Sequence, residues 1–234
     1  TRGGLLDKRM GTISLKWDCE SCGGNQDSCP GHFGHIRLNK PVYHYGFLRY
    51  IFQTLRCVCM NCGRLLIDKK SPEFQEVVRT VRKKNRLTAL AKLATRTCEE
   101  FARDMGRNPG SKAFDPEHPP VQDPTKTTLH VSERPPCGHR QPKLKRRDQS
   151  IYMTEEGEDG KAPNKRALTP EEVRDVLCHI SDEDAEVLGF DAKLSRPEWM
   201  VLTVLPVAPP CVRPSVTSAN GQNEDDLTTQ YAQI

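Results

Sequence analysis

The sequence predicts a small α+β fold with several helices, few short strands and long irregular loops. Only 35% of the 234 residues are hydrophobic and 28% are charged, so the chain can bury no more than a modest core. Proline makes up 18 residues, about 8% of the chain against about 5% in average proteins, and it interrupts helices and strands. Ten residues are cysteine, and six of these lie within the first 62 positions. We therefore expect a source of stability other than the core.

The cysteines indicate metal binding more than disulfides. The closest ones form Cys-x-x-Cys pairs, which are typical of metal sites. No secretory signal opens the chain, and no apolar run approaches the roughly 20 residues that span a bilayer. We therefore expect a reducing compartment, in which the thiols are available to zinc, and no membrane association. The chain starts without a methionine and ends abruptly, which favours a fragment of a longer protein.

Hydrophobic periodicity predicts the first elements. Alternation over residues 36–38 indicates a short strand, and apolar residues at helical spacing over residues 48–55 indicate a helix. Two basic helices follow, the first beginning at Ser71 and Pro72 and the second ending at Gly106. Their apolar stripes are Phe74, Val77, Val78 and Val81 in the first, and Leu87, Leu90, Ala94, Cys98, Phe101 and Met105 in the second.

A helical hairpin is predicted after a long proline-punctuated stretch. Residues 107–168 are expected to be largely irregular. Thr169 can cap a helix that has Pro170 in its first turn and Glu172 three residues after the cap. A second, shorter helix then ends at Gly189.

The last part of the chain is predicted to contain a buried strand and an extended connecting segment. Residues 199–205 are a candidate buried strand, and the proline-rich residues 206–214 should run extended. We accordingly expect a zinc-binding domain over residues 1–168. Residues 169–234 should form a second domain of hairpin, strand and connection.

The first metal motif is Cys19-x2-Cys22-x6-Cys29-x2-His32. Zinc prefers four sulfur and nitrogen ligands in a tetrahedron, and two short pairs on tight turns can converge on one ion. Neighbouring glycines supply the permissive backbone that such turns need. His35 is an alternative to His32, although the spacing favours His32.

The second metal motif is incomplete in sequence. Cys59-x2-Cys62 supplies half of a site and needs two more ligands. Spacing alone leaves the choice open among Cys98, Cys137, His139 and Cys178. Cys178 is better explained as an ordinary buried residue than as a ligand. The same prediction applies to Cys57 and Cys211.

Sites closed by four protein ligands are structural, whereas catalytic zinc keeps an open position. A ubiquitin-ligase cross-brace would need a His-x2-Cys pair directly after Cys29, and none is present. A DNA-reading finger needs about twelve residues between its cysteine and histidine pairs, whereas Cys22 and His32 are separated by nine. No phosphate-binding glycine loop or nucleophile elbow is present, so we predict no catalytic residue in this chain.

Charge is distributed unevenly. Residues 1–150 contain 28 Lys/Arg and 15 Asp/Glu, a net charge of +13, whereas residues 151–234 contain 7 and 16, a net charge of −9. The first part is therefore a candidate for sequence-independent phosphate contact, with a solvated helix face or a surface for an acidic partner as the alternatives. The candidate nucleic-acid contacts are Arg82, Lys83, Lys84, Arg86, Lys143, Lys145, Arg146 and Arg147.

Several strings together resemble one family. Met10-Gly11-Thr12 and CPGHFGHI (29–36) resemble the start of the largest subunit of multisubunit RNA polymerases, and LRCVCMNCGRLL (55–66) is similar to its second cysteine pair. RPEWMVLTVLPVAPPCVRPSV (196–216) and NEDDLT (223–228) are similar to the segment that follows. The match resembles the eukaryotic polymerase II version most, although Cys211 stands where proline is more usual.

The resemblance implies an N-terminal clamp portion with two structural zinc ions. Its ligands would be Cys19, Cys22, Cys29 and His32 for the first ion, and Cys59, Cys62, Cys98 and Cys137 for the second. The family's clamp retains template DNA and the RNA–DNA hybrid. Its catalytic magnesium motif, NADFDGD, lies further downstream and is absent here, so magnesium is expected only in that missing part.

The resemblance also implies a nuclear protein that assembles with the second-largest and other polymerase subunits, and with initiation and NusG-type elongation factors. Two other classes remain open from the residues alone. One is a free-standing zinc-dependent module that binds nucleic acid or protein, and the other is a hydrolytic zinc enzyme. The sequence beyond Ile234 distinguishes the polymerase clamp from the free-standing module, because only the clamp would be followed by NADFDGD. Two tightly held zinc ions with no open position would exclude the hydrolytic enzyme.

Overall fold

The computed structural model describes residues 2–104, 136–155, 164–218 and 221–234. The chain forms two compact units, one of Thr1–Lys40 with Thr203–Ile234 and one of Pro41–Leu202. This division does not coincide with the predicted boundary at residue 168. Over the described residues, the fold is α+β as predicted.

The described residues contain seven α-helices and seven strands. The helices are α1 Leu48–Cys57, α2 Pro72–Thr80, α3 Lys83–Leu93, α4 Cys98–Asp104, α5 Pro170–Cys178, α6 Asp182–Leu188 and α7 Asp226–Gln233. The strands are β1 Gly34–Tyr43, β2 Lys143–Arg147, β3 Ser150–Glu155, β4 Asn164–Ala167, β5 Val201–Val207, β6 Val216–Ser218 and β7 Gly221–Asn223. Strand β1 pairs with β5, β6 pairs with β7, and the order β2-β3-β4 forms an antiparallel sheet. No helix in the described ranges is long and apolar enough to cross a membrane.

The core of the unit Pro41–Leu202 lies among α1, α3, α5, α6 and the inner face of β3. Its most buried side chains include Ile51, Leu90, Ile151, Leu177 and Leu188. Further buried residues lie at helical spacing from the named ones, such as Leu48 and Leu55 in α1, so one face of each helix packs inward.

Side-chain caps begin the helices where the sequence predicts them. The Ser71 hydroxyl accepts a hydrogen bond from the Phe74 N–H, and Thr169 and Glu172 form a reciprocal capping box. Helix α6 ends at Gly189, whose φ of 100° lies in the left-handed region. A Cβ at Gly189 would lie 2.4 Å from the Lys83 carbonyl oxygen, so the chain passes α3 closely at this point.

The stretch predicted to be irregular requires a correction over residues 143–167. Lys143–Arg147 pairs with Ser150–Glu155, which pairs in turn with Asn164–Ala167. The outer strands contain almost no apolar residues, so the alternation that predicts strands is missing from them. Burial of Ile151 and Met153 in the central strand secures the sheet instead. Residues 107–135 and 156–163 of that predicted stretch lie outside the described residues.

Three other predictions differ from the structure. The second basic helix is broken between Leu93 and Cys98 and forms α3 and α4. Strand β5 is buried only at its ends, because Thr203 and Val204 are exposed. Residues 209–213 form turns, in which the N–H groups of Val212 and Arg213 donate to the carbonyls of Pro209 and Pro210. The proline-rich segment therefore does not stay extended.

In the other unit, a buried arginine joins segments that are distant in sequence. Arg213 is 1% exposed. Its guanidinium donates to the carbonyls of Leu5 and Ala208 (2.7 Å to the latter) and to the Thr228 hydroxyl (3.1 Å), and it lies 5.8 Å from the centre of the Tyr231 ring. One side chain thus satisfies acceptors from the N-terminus, the post-β5 turn and α7.

Replacing this arginine should destabilise the unit that contains it. Arg213→Leu leaves buried acceptors without a donor, at about 1–3 kcal/mol each, so we expect a loss of at least about 3 kcal/mol in urea unfolding followed by circular dichroism. The control Arg37→Leu removes an exposed arginine of β1 and should change stability by no more than about 0.5 kcal/mol. Equal effects of the two substitutions would contradict the role given to Arg213.

Candidate metal centres and basic face

The first candidate metal centre lies in the unit that contains the N-terminus. The structure brings the ligand atoms of Cys19, Cys22, Cys29 and His32 within 4.8 Å of one another. The Cys29 Sγ lies 3.7 Å from the His32 Nε2. His35, the alternative ligand, is exposed on β1 and is not part of this group.

The second candidate centre joins four cysteines from three separate segments. The Sγ atoms of Cys59, Cys62, Cys98 and Cys137 also lie within 4.8 Å of one another. Sulfur–sulfur distances are 3.6 Å for Cys59–Cys137, 3.6 Å for Cys98–Cys137 and 3.9 Å for Cys62–Cys98. A tetrahedral ion with Zn–S bonds of about 2.3 Å separates its sulfurs by about 3.8 Å. The spacing therefore fits zinc.

The same backbone turn holds the first two ligands of both centres. The N–H of Cys19 donates to the Gly24 carbonyl at 2.8 Å, and the Gly23 N–H donates to the Cys19 carbonyl at 2.8 Å. In the second centre the corresponding bonds are Cys59 N–H to Arg64 carbonyl at 2.8 Å and Gly63 N–H to Cys59 carbonyl at 3.0 Å.

Glycine is required at the corner of each turn. Gly23 and Gly63 have φ angles of +68° and +69°, a region that other residues adopt at a cost. Gly31, between Cys29 and His32, has a φ of +81°, and a Cβ there would lie 2.7 Å from the Cys211 Sγ. The residues of the motifs thus have two separate roles, since cysteine and histidine offer ligand atoms and glycine allows the turns.

The clustered thiols stabilise negative charge on particular sulfurs. Hydrogen bonds from the thiols of Cys59, Cys62 and Cys98 lower the pKa of Cys137 far below its usual value. The pKa of Cys59 is raised, mainly by its hydrogen bond to Cys137. In the first centre, burial opposes ionisation of Cys19, but N–H groups of the same turn and neighbouring thiols outweigh it and lower its pKa to about 7. Thiolate is the form that binds metal.

Gln141 supports the second centre from outside the ligand set. Its side-chain N–H donates to the Val58 carbonyl at 3.0 Å and the Leu55 carbonyl at 3.4 Å, and its oxygen accepts from the Met60 N–H at 3.3 Å. It therefore fixes the backbone beside Cys59 to the segment that carries Cys137. Gln141 could not be predicted from the sequence, because a glutamine four positions after a cysteine carries no recognisable pattern.

The remaining cysteines divide into one buried and two exposed residues. Cys57 is fully buried, and this burial raises its pKa to about 12. The prediction that Cys178 and Cys211 are buried is wrong, because both are exposed. Neither Cys178 nor His139 belongs to the second group. Of the four open candidates, Cys98 and Cys137 are the two that the fold brings to Cys59 and Cys62.

The outer face of the β2-β3-β4 sheet is strongly basic. Lys143, Lys145 and Arg147 lie on one side of β2, opposite the side on which Leu144 packs against the core. Lys145 stands opposite Tyr152 in β3, and the Lys165 Nζ of β4 lies 5.4 Å from the centre of the Tyr152 ring. Lys165 is not among the predicted contacts, because only strand pairing brings it beside the predicted cluster.

The other predicted nucleic-acid contacts are arranged differently. Arg146 is exposed but belongs to the Leu144 side of β2, because successive strand residues face opposite ways. Arg82, Lys83 and Lys84 are exposed at the start of α3. Arg86 is half-buried and donates to the Val78 carbonyl at 3.0 Å, so part of its hydrogen-bonding capacity serves the fold.

Two four-residue groups on glycine-cornered cysteine turns, within a mixed α+β chain, give the protein two candidate metal centres of the knuckle type. The whole chain, residues 1–234, matches the family model described as RNA polymerase Rpb1, domain 1, and the chain belongs to this family. It is 37% identical over 238 residues to the DNA-directed RNA polymerase II subunit RPB1 of Euplotoides octocarinatus. That match covers 100% of this chain and 45% of the relative, so the chain spans slightly less than half of that protein's length. The predicted resemblance to the N-terminal region of the largest polymerase subunit is confirmed.

The two corner glycines offer a matched test of crowding. A Cβ at Gly63 would lie 2.6 Å from the His179 carbonyl carbon, whereas a Cβ at Gly23 would meet nothing within 4 Å. Gly23→Ala should cost only the left-handed strain, about 1–2 kcal/mol, and keep its metal group intact. Gly63→Ala should cost clearly more and displace the Cys59–Cys62 turn. Urea unfolding and metal content of the purified variants measure both effects, and equal costs would contradict the crowding.

Proposed function

We propose that the chain is the clamp portion of the largest subunit of DNA-dependent RNA polymerase II, and that two structural zinc ions hold it rigid. The observation that supports this most is the convergence of two complete four-ligand groups in a member of this family. Cys19, Cys22, Cys29 and His32 would hold the first ion, and Cys59, Cys62, Cys98 and Cys137 would hold the second. Four protein ligands leave no open position for substrate, so the ions act on structure and not on catalysis.

Rigidity is what a clamp element needs. Each ion fixes polar segments that a modest core would leave loose, and a body that does not deform can swing about flexible connections as one piece. In the assembled enzyme, this motion would close over the template DNA and the RNA–DNA hybrid and retain them. The chemistry of nucleotide addition would lie elsewhere, on a magnesium ion held by the downstream part of the subunit.

The basic sheet face is the surface that we assign to the nucleic acid. Lys143, Lys145, Arg147 and Lys165 place positive charge on one side of three paired strands. Such a surface attracts the phosphate backbone without reading sequence, which suits an element that must hold any transcribed DNA.

The proposed role implies a nuclear protein within a large complex. Its partners would be the second-largest and other polymerase subunits, the template DNA, the RNA–DNA hybrid, and initiation and NusG-type elongation factors. The polar composition of the chain agrees with a part that is supported by neighbours in an assembly.

Metal content tests the zinc proposal directly. The purified chain should contain two zinc ions by inductively coupled plasma mass spectrometry. Cys98→Ser should reduce this to one, because it removes a ligand of the second centre alone, and the exposed Cys178→Ser should keep two. Retention of two ions by Cys98→Ser, or a content of one or none in the unaltered chain, would contradict the proposal.

Adjacent residues of β2 test the nucleic-acid face. Lys145→Ala should weaken binding to a 20-base-pair DNA about fivefold in low salt. It should also reduce the slope of log K against log salt by about 0.9, the loss of one phosphate contact. Arg146→Ala removes the same charge from the opposite side of the strand and should have a much smaller effect. Fluorescence anisotropy measures both, and equal losses for the two variants would exclude the face as the binding surface.

A further inference from the structure

An apolar groove of about 500 Å³ lies in the unit Pro41–Leu202, and none of its lining residues belongs to either candidate metal centre. Its deepest lining residues are buried side chains of the core: Leu87, Leu188 and Met200. Its volume is within the range of sites that hold small ligands or single anchoring side chains. The groove therefore has the depth to bury part of another molecule.

Exposed apolar side chains form the sides of the groove. Trp199 is 55% exposed and Leu194 is 80% exposed, and Phe47 and Tyr50 lie beside them with more than two fifths of their surface accessible. Four large, exposed apolar residues therefore surround one concavity. Aromatic residues around a concave apolar site are the features that most often anchor a bound partner.

The groove is built from firmly held elements. The close passage of Gly189 against the Lys83 carbonyl fixes the end of α6 against the start of α3. Arg196 donates to the Ile180 carbonyl at 3.0 Å and pairs with Asp182 and with Glu198, the latter at 3.0 Å. These contacts hold the shape without a partner and neutralise the charge of Arg196.

The charge at the rim is positive. Lys83 and Lys84 line the groove and are exposed, and Lys84 makes no ion pair within the described ranges. Both stand in the first turn of α3, where the free N–H groups add partial positive charge, and Arg82 before them offers no capping side chain. Asp191 interacts electrostatically with Lys83 and so offsets part of its charge. Lys84 is therefore the stronger candidate for pairing with a carboxylate of a partner.

We propose that this groove binds a polypeptide segment in which a bulky apolar side chain is flanked by aspartate or glutamate. The buried aliphatic base suits a leucine or phenylalanine side chain, and the rim lysines suit neighbouring carboxylates. A nucleic-acid strand fits less well, because the buried base of the groove consists of Leu87, Leu188 and Met200, which offer a nucleotide base neither a hydrogen bond nor an aromatic ring. The inference is independent of the zinc sites and of the basic sheet face.

The two tryptophans of the chain make the test direct. Trp17→Phe leaves Trp199 as the single reporter inside the groove. The probe is a ten-residue peptide of aspartate, glutamate, leucine and phenylalanine only, added to the full 234-residue chain. Binding should shift the Trp199 emission to shorter wavelength and protect it from iodide. A peptide with every acid replaced by lysine, and one with every apolar residue replaced by alanine, should do neither.

Two substitutions in the single-tryptophan chain locate the binding. Leu194→Ser removes an exposed apolar side chain from the side of the groove, and Lys84→Glu reverses a charge at its rim. Each should lower the affinity for the acidic peptide roughly fivefold or more. Their matched controls are Leu15→Ser, at a leucine that is 91% exposed elsewhere, and Lys16→Glu, at the exposed lysine that follows it. The controls should bind the peptide as the parent chain does, and circular dichroism checks that all four variants fold.

Three results would overturn the proposal. The first is that the lysine-substituted peptide produces the same Trp199 shift, since charge would then have no part in recognition. The second is that the acidic peptide produces no shift, or that Leu194→Ser and Lys84→Glu bind as well as their controls. The third is that an oligothymidine strand protects Trp199 and loses this effect with Lys84→Glu, which would make the groove a nucleic-acid site.

Discussion

The convergence of sulfur atoms from distant segments is the constraint on which the larger unit depends. Cys62 and Cys98 are separated by 36 residues and Cys59 and Cys137 by 78, yet their Sγ atoms lie 3.9 and 3.6 Å apart. Closing such long loops costs conformational entropy, and a chain with 35% hydrophobic residues has little burial with which to offset it. A bound divalent ion would supply the missing free energy at one point, because structural zinc contributes directly to folding.

The Cys-x-x-Cys-Gly turns depend both on hydrogen bonds within the turn and on contacts with residues that are distant in sequence. The backbone hydrogen bonds of the Cys-x-x-Cys-Gly turns are satisfied within five residues, so the turns are set by local sequence. Their placement is not local, because Gly63 lies against the His179 carbonyl and Gln141 bonds the backbone beside Cys59. The metal groups therefore join a locally determined turn to contacts made by the rest of the fold.

Elements with strong local chemistry could be predicted from the sequence, and elements set by tertiary pairing could not. The capping box at Thr169 and the first ligand set were predictable, because their residues act within a few positions of one another. The choice of Cys98 and Cys137 is open from spacing, and it is the resemblance and the convergence of their Sγ atoms with those of Cys59 and Cys62 that favour these two. The strands within residues 143–155 and 164–167 were not predicted, since the basic outer strands owe their conformation to the buried Ile151 and Met153 of their neighbour. The exposure of Cys178 and Cys211 also depends on which face packs inward, which two isolated cysteines cannot indicate.

The position of β2 has a consequence beyond the proposed phosphate contact. In the described part of the chain, β2 and β4 are the outer strands of their sheet, and an outer strand presents N–H and C=O groups that another chain can pair with. Four of the five residues of β2 are cations, and β4 adds Lys165 and Arg166. A second copy approaching either edge would bring like charges into opposition. The lysines and arginines therefore also protect the sheet from self-association, and a substitution that neutralises them would expose the edge to aggregation.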